Sequence, residues 1–261
     1  MEIIIRPTAA AASDLTARII DAALRAKPNL VLGLATGRTM ESVYAQLARR
    51  HRDEKLDFSR CHTFNLDEYV GLPAAGGHSY RHYMDRHLFS HVNIDRRNTH
   101  LPNGAAADLE AECRTYERLI TGCGGIDLQL LGIGSDGHIG FNEPLSAFRS
   151  RTRVKALSPV TREQNASEFP QPDDVPRRAI TMGIGTILDA RRCVLLAVGT
   201  EKADIIARAF EGPMTGMISA TALHWHPRCV VIVDEAAAGR LAQTDYYRWI
   251  FDNEPEWEPF R

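Results

Sequence analysis

The feature that most constrains this chain is a repeated alternation of short apolar runs with longer segments of helical spacing. Residues 2–6 (EIIIR), 29–36 (NLVLGLAT), 61–66 (CHTFNL), 126–133 (IDLQLLGI), 191–199 (RRCVLLAVG) and 227–234 (PRCVVIVD) read as strands. RTRVKAL, at 151–157, alternates and reads as a further strand. Between them, residues 8–25, 40–50, 79–89, 107–120 and the stretch EKADIIARAF opened by Thr200 have apolar residues at helical spacing. Strands that are apolar on both faces need cover on both, and strand–helix alternation favours parallel pairing. The expected fold is α/β: a doubly wound, mainly parallel sheet with helices on both faces, of Rossmann-like type, with residues 1–261 as a single domain. No repeat, low-complexity tract or linker breaks the pattern, and only the acidic, aromatic end FDNEPEWEPFR reads as a tail.

Charge excludes some partners. With 31 Lys and Arg against 33 Asp and Glu, and no long basic run, the chain offers no footprint for nucleic acid or a membrane surface. No stretch approaches the roughly 18 apolar residues of a membrane helix, and MEIIIRPT lacks the basic start and cleavage site of a signal peptide. Cys61, Cys113, Cys123, Cys193 and Cys229 form no C-x-x-C pair, so free, buried thiols and a cytoplasmic location are expected.

In open parallel sheets, ligands bind where strand carboxyl ends meet their loops. The loops after LGLA, TFNL, LLGI and LLAV are therefore the ones that matter. The third, LGIGSDGHIGFNEP at 131–144, contains a literal G-x-G-x-x-G. A dinucleotide site needs a helix opening at the last glycine and an acid about 20 residues on. Here Gly137 is followed by HIGFNEP, and Asp136 would sit against a pyrophosphate. The fingerprint fails its context. What remains is Asp136, His138 and Glu143 on a glycine-rich strand end, where flanking carboxylates can fix an imidazole tautomer for proton transfer. The alternative is a histidine that merely caps the loop.

The loop after the second strand supplies Thr36, Gly37, Arg38 and Thr39 directly before a helix: hydroxyls, close amides and a guanidinium suited to phosphate. The loop after the third carries adjacent carboxylates, Asp67 and Glu68, of which alternation lets one face a ligand. A carboxylate in a partly apolar pocket can serve as a carbon-acid base. His78, His82, His87 and His91 include i, i+4 pairs of the kind that ligate zinc, but H-E-x-x-H is absent, so no metal is expected there. HWHP at 224–227 reads as a helix end packing into the core.

GLATGRT, FNLDEYVGL, LGIGSDGHIGFNEP and SRTRVKAL, in this order and spacing, closely resemble the glucosamine-6-phosphate deaminase (isomerase) family, over nearly the whole chain. The resemblance implies conversion of glucosamine 6-phosphate and water to fructose 6-phosphate and ammonia, without metal or organic cofactor. It implies that Asp67 moves the C2 proton to C1, that His138 takes the anomeric hydroxyl proton, and that Asp136 and Glu143 orient that imidazole. Glu68 is then structural. Phosphate would sit on Thr36, Gly37, Arg38 and Thr39, with Arg162 and Lys202 closing on it; Arg38 stands where the family commonly has a small residue. Some members carry an allosteric site for the N-acetylated sugar phosphate. Ser146, Arg153, Lys155 and Tyr246 resemble parts of it, but Ala156 replaces a hydroxyl and Arg192 an acid, so that match is incomplete. The sequence leaves a homo-oligomer open, as it does a lid over residues 71–91. The lactonase relatives share G-x-G-x-D-G-H but lack the D-E-Y-V-G-L segment, and a non-catalytic sugar-phosphate sensor would be expected to lose a catalytic acid.

Overall fold

The computed structural model describes residues 1–73 and 76–261, apart from the Asp173 side chain. In chain order the strands are β1 (Glu2–Arg6), β2 (Val31–Leu34), β3 (His62–Asn65), β4 (Asp67–Tyr69), β5 (Thr99–His100), β6 (Leu128–Leu131), β7 (Arg153–Ala156), β8 (Arg178–Thr181), β9 (Cys193–Ala197) and β10 (Cys229–Asp234). The helices are α1 (Ala9–Ala26), α2 (Arg38–Glu54), α3 (Tyr80–His87), α4 (Leu109–Gly122), α5 (Pro159–Asn165), α6 (Ile184–Leu188), α7 (Ala203–Phe210) and α8 (Thr244–Asn253). Thr8, Ser79, Asp108 and Ser158 each cap a helix by accepting an amide N–H from its first turn, as short polar side chains at that position do.

Seven strands form one sheet in the order β1-β10-β9-β6-β2-β3-β5, and every pairing in it is parallel. β2, β6, β9 and β10 are buried at every residue, which is what covering helices on both faces require. β10, which comes late in the chain, inserts beside β1, so the two ends of the sequence share one register: Ile3 lies opposite Val231 and Ile5 opposite Val233.

The strand expected at 151–157 forms, as β7, but outside this sheet. It joins β4 and β8 in a three-stranded antiparallel sheet of order β4-β8-β7. Its alternating polar residues were the signal: a strand with one wet face suits antiparallel pairing and not a buried parallel layer. β4, β5 and β8 are absent from the sequence reading, because they have three, two and four residues and little apolar run to detect.

The tail reading is corrected. α8 packs on β1, and a 3₁₀ turn, Pro255–Phe260, follows it. Trp257 there is 1% exposed, donates its indole N–H to Glu2 (2.8 Å), and lies under the Arg192 guanidinium. Arg192 also pairs with Glu256 at 2.9 Å. Arg18 donates to the carbonyls of Pro259 and Phe260. Three aromatic residues among acids supply enough apolar area to dock a segment whose average polarity looks like tail.

The cysteines are unpaired, four buried and Cys123 half-buried. Of HWHP only His226 packs inward, with Nε2 on the Ala190 carbonyl; His224, Trp225 and Pro227 are exposed, because the 3₁₀ turn Ser219–Trp225 ends at the surface. Within the suggested 71–91 lid, α3 is well formed, and Ala74 and Ala75 lie outside the described residues.

Candidate active site

β9, β6, β2 and β3 are four neighbours in the sheet, and the loops leaving their carboxyl ends meet over one cavity of about 480 Å³. Its wall includes Thr36, Gly37, Arg38 and Thr39 from the first loop, Asp67 from the second, Gly134 and His138 from the third, and Lys202 from the fourth. All four loops marked in the sequence contribute. Asp67 and His138 line the same space.

Asp67 opens β4 where the chain leaves the parallel sheet for the antiparallel one, its backbone paired with Thr181. Its side chain is buried and accepts no hydrogen bond from the described residues, with Oδ2 held above Gly140, where an added Cβ would lie 3.5 Å away. Burial, and next the charge of Glu68, push its pKa up to about 8. Glu68 points the other way, accepting the backbone N–H groups of Tyr69, Tyr80 and Arg81 and so fixing the start of α3. One carboxylate is stripped of donors, its neighbour saturated with them.

The shift at Asp67 has a sign that can be measured. A carboxylate whose folded pKa is raised from 3.8 to about 8 contributes stability fully below the lower value and loses it as pH rises through the higher one. Asp67→Asn is therefore expected to stabilise the fold by roughly 2–5 kcal/mol at pH near 9 and by little at pH near 4. Urea denaturation at the two pH values checks this; equal effects at both would contradict the burial of an ionisable group.

His138 follows Gly137, whose φ of +88° turns the loop back and whose Cα faces Ile205 and Ile218 too closely for a side chain. A Cβ on Gly134 would lie 2.3 Å from the imidazole, so glycine there is what lets the ring rest on the loop. Asp136 Oδ1 sits 2.5 Å from His138 Nδ1 and also accepts the His138 backbone N–H. That contact assigns the ring proton to Nδ1 and leaves the Nε2 lone pair for the cavity. Burial would raise the Asp136 pKa, but the bond and charge of His138 win and hold it below the usual carboxylate range.

Glu143 does not hydrogen-bond the imidazole. Its Oε1 accepts the Ser158 N–H at the start of α5 (2.9 Å), and Oε2 is buried without a partner among the described residues. An oxygen of Glu143 nonetheless lies within 4.8 Å of donor atoms of Asp136 and His138. It ties the glycine-rich loop to α5.

The loop expected to hold phosphate runs directly into α2. Gly37 takes φ 111° and precedes α2, exposing the amides of the first turn; Tyr83 donates to its carbonyl. Lys202 Nζ reaches across to the Ile133 carbonyl (2.9 Å), its pKa lowered by burial against the charges of Glu201 and Asp136. Arg38 donates to Ser167, in the turn after α5. Arg162, on α5, is not part of the cavity wall; its Nε is buried and unpartnered among the described residues.

Of the residues resembling an effector site, Arg153 donates to Ser146 and to Asn142. Lys155 lies two residues along β7. Tyr246 is 56% exposed on α8, stacked on Trp249, with no hydrogen bond to the other three. Arg192 belongs to the Trp257 packing. The histidines in and around α3 diverge: His78, before its cap, bonds the Glu168 carbonyl, His91, in the 3₁₀ turn after it, the Arg86 carbonyl, and His87 packs on Tyr83.

Sequence reasoning missed Tyr80, Ser135, Gln164, Ser167, Glu168 and Glu201, all on the cavity wall. Glu201 could have been found as the neighbour of Lys202. Gln164 donates to Ser135, joining α5 to the glycine-rich loop. Burial and Glu41 raise the pKa of Glu168, with Arg38 opposing them.

Residues 6–231 match the model of the glucosamine-6-phosphate isomerases/6-phosphogluconolactonase. The chain is 49% identical to the glucosamine-6-phosphate deaminase of Arthrobacter sp. (strain FB24), across 99% of each. It is 53% identical to that of Geobacillus sp. (strain WCH70), across 86% of this chain and 90% of the relative. A solved monomeric glucosamine-6-phosphate deaminase superposes with a TM-score of 0.91 at 45% identity, covering 92% of this chain and all of that one. The 6-phosphogluconolactonase of Thermotoga maritima shares the fold, with a TM-score of 0.72 at 22% identity.

Proposed function

The chain belongs to the glucosamine-6-phosphate isomerase/6-phosphogluconolactonase family, and from that premise we propose that one cavity opens and isomerises its amino sugar. The reaction is that of the deaminases: glucosamine 6-phosphate and water give fructose 6-phosphate and ammonia, a step of amino-sugar catabolism. The observation that carries the mechanism is the shared cavity of Asp67 and His138, with a phosphate cradle on its wall.

Substrate phosphate sits on the first turn of α2, where amides and a helix N-terminus favour an anion, with Lys202 supplying the opposing charge. His138 Nε2 takes the C1 hydroxyl proton and returns it to the ring oxygen as the C1–O5 bond breaks, leaving an open aldehyde. Asp67 removes the C2 proton as the C1=C2 bond forms, and O1 takes a proton from solvent water. Asp67 then gives the C2 proton to C1 as the nitrogen lone pair makes C2=NH₂⁺. Water adds to that carbon and one proton returns to solvent; the remaining hydroxyl proton passes to nitrogen as C2=O forms and ammonia departs. Asp67 acts while ionised, so kcat/KM rises with pH toward its pKa of about 8. Ammonia and fructose 6-phosphate from purified protein, against no hydrolysis of 6-phosphogluconolactone, is the direct test.

Arg38 deepens the cradle. Its reach to Ser167 supports a role in closing the α5 segment over bound phosphate. Arg38→Gly is expected to raise KM for the sugar phosphate about five- to tenfold with kcat nearly unchanged, and to weaken inhibition by inorganic phosphate in parallel. Unaltered KM and phosphate inhibition would exclude Arg38 from the phosphate site.

The solved deaminase that superposes on this chain is monomeric, which supports a monomer here; light scattering is expected to read one. No described helix is long and apolar enough to cross a membrane. The free thiols support a cytoplasmic setting.

A further inference from the structure

Away from the cavity, three side chains of metal-binding type converge where β3 begins. Residues 62 and 64 share one face of β3, and His100 of β5 is in register with Phe64, so the rings of His62 and His100 fall side by side. Their centroids are 6.0 Å apart with planes within 9°. Cys123, which caps the end of α4, brings Sγ to 3.8 Å from His62 Nδ1. One donor atom from each of the three lies within 4.8 Å of the other two.

A second observation is independent of that spacing. His100 Nε2 is buried and has no hydrogen-bond partner among the described residues. Buried polar atoms in folded proteins are nearly always partnered, by protein, water or an ion.

We propose that His62, His100 and Cys123 form a zinc site with three protein ligands and a fourth position for water. Two imidazoles and one thiolate suit a borderline-soft cation, and the set has no oxygen donor for calcium or magnesium. Zinc–nitrogen bonds of about 2.1 Å and zinc–sulfur bonds of about 2.3 Å place tetrahedral ligands roughly 3.3–3.8 Å apart. The Cys123–His62 pair already meets this, and the third side, within 4.8 Å, needs a shift of about 1 Å on zinc binding. Burial, then the charges of His62 and Arg81, lower the His100 pKa, which favours the neutral imidazole a metal ligand needs. Burial raises the Cys123 pKa, so the thiol arrives protonated, and each zinc bound displaces one proton to solvent. The ion would tie the edge strand β5 to β3 and to the end of α4. Its role is to hold the sheet edge, not to act on substrate.

The test uses the full chain after chelation, with zinc alone as probe. Equilibrium dialysis is expected to show one zinc per chain, and cobalt in its place to give a thiolate-to-metal charge-transfer band. Cys123→Ser and His62→Gln should each weaken zinc binding by at least about tenfold, with ammonia release unaffected. Zinc should raise the thermal midpoint of the parent chain and not of either variant. Two variants are used because one alone could perturb folding. No retained zinc, binding that survives both substitutions, or cobalt without the thiolate band would overturn the assignment.

Discussion

Asp67→Asn lowers kcat for ammonia release by about 10³–10⁴-fold while KM for glucosamine 6-phosphate moves by less than about threefold. Asparagine keeps the shape, and Asp67 has no hydrogen-bond partner among the described residues whose loss could disturb the pocket. What is removed is basicity. The parent carboxylate is made a stronger base by burial, with a pKa of about 8, and the amide cannot accept a carbon-bound proton. Coupled assay of fructose 6-phosphate gives both constants. A variant within tenfold of the parent would move the proton-transfer role to another group, and Glu168 is the carboxylate to try next.

Asp136→Asn is expected to cost about 10²–10⁴-fold in kcat, comparable to His138→Gln and not additive with it. The Asp136 carboxylate accepts from Nδ1 at 2.5 Å and so keeps the Nε2 lone pair available. An asparagine that turns its NH₂ toward Nδ1 stabilises the other tautomer, in which Nε2 carries the proton and cannot take one from C1–OH. The imidazole stays in place and loses its function. If the double variant were slower than either single one by the product of their effects, the two residues would be acting separately.

The alternation of apolar strands and helices made the parallel sheet and its ligand-binding edge legible. β2, β6, β9 and β10 are apolar because both faces are covered, so burial wrote itself into consecutive residues. The same logic hid the antiparallel sheet. β4 is Asp-Glu-Tyr, residues chosen for a site and for holding α3, not for a strand pattern. The contact between Asp136 and His138 is two residues long and visible in any sequence. Glu143 is five residues further on, and the chain has turned by then, so its partner became the start of α5. Arg38–Ser167 and Gln164–Ser135 join segments 129 and 29 residues apart, and neither has a local signature. The docked C-terminal turn shows the limit from the other side: three aromatics decided its fate among acids that dominate its average.

The central claim is that Asp67 carries the C2 proton. Proton NMR of glucosamine 6-phosphate in D₂O follows that event apart from ring opening and deamination. With the parent enzyme, product fructose 6-phosphate is predicted to carry deuterium at C1 in those turnovers in which the Asp67 carboxyl exchanges its proton with solvent before passing it on, and recovered substrate to exchange at C2 no faster than it reacts. With Asp67→Asn, both signals should be missing over the same number of parent turnovers. Deuterium entering C1 at the parent rate in that variant would contradict the account.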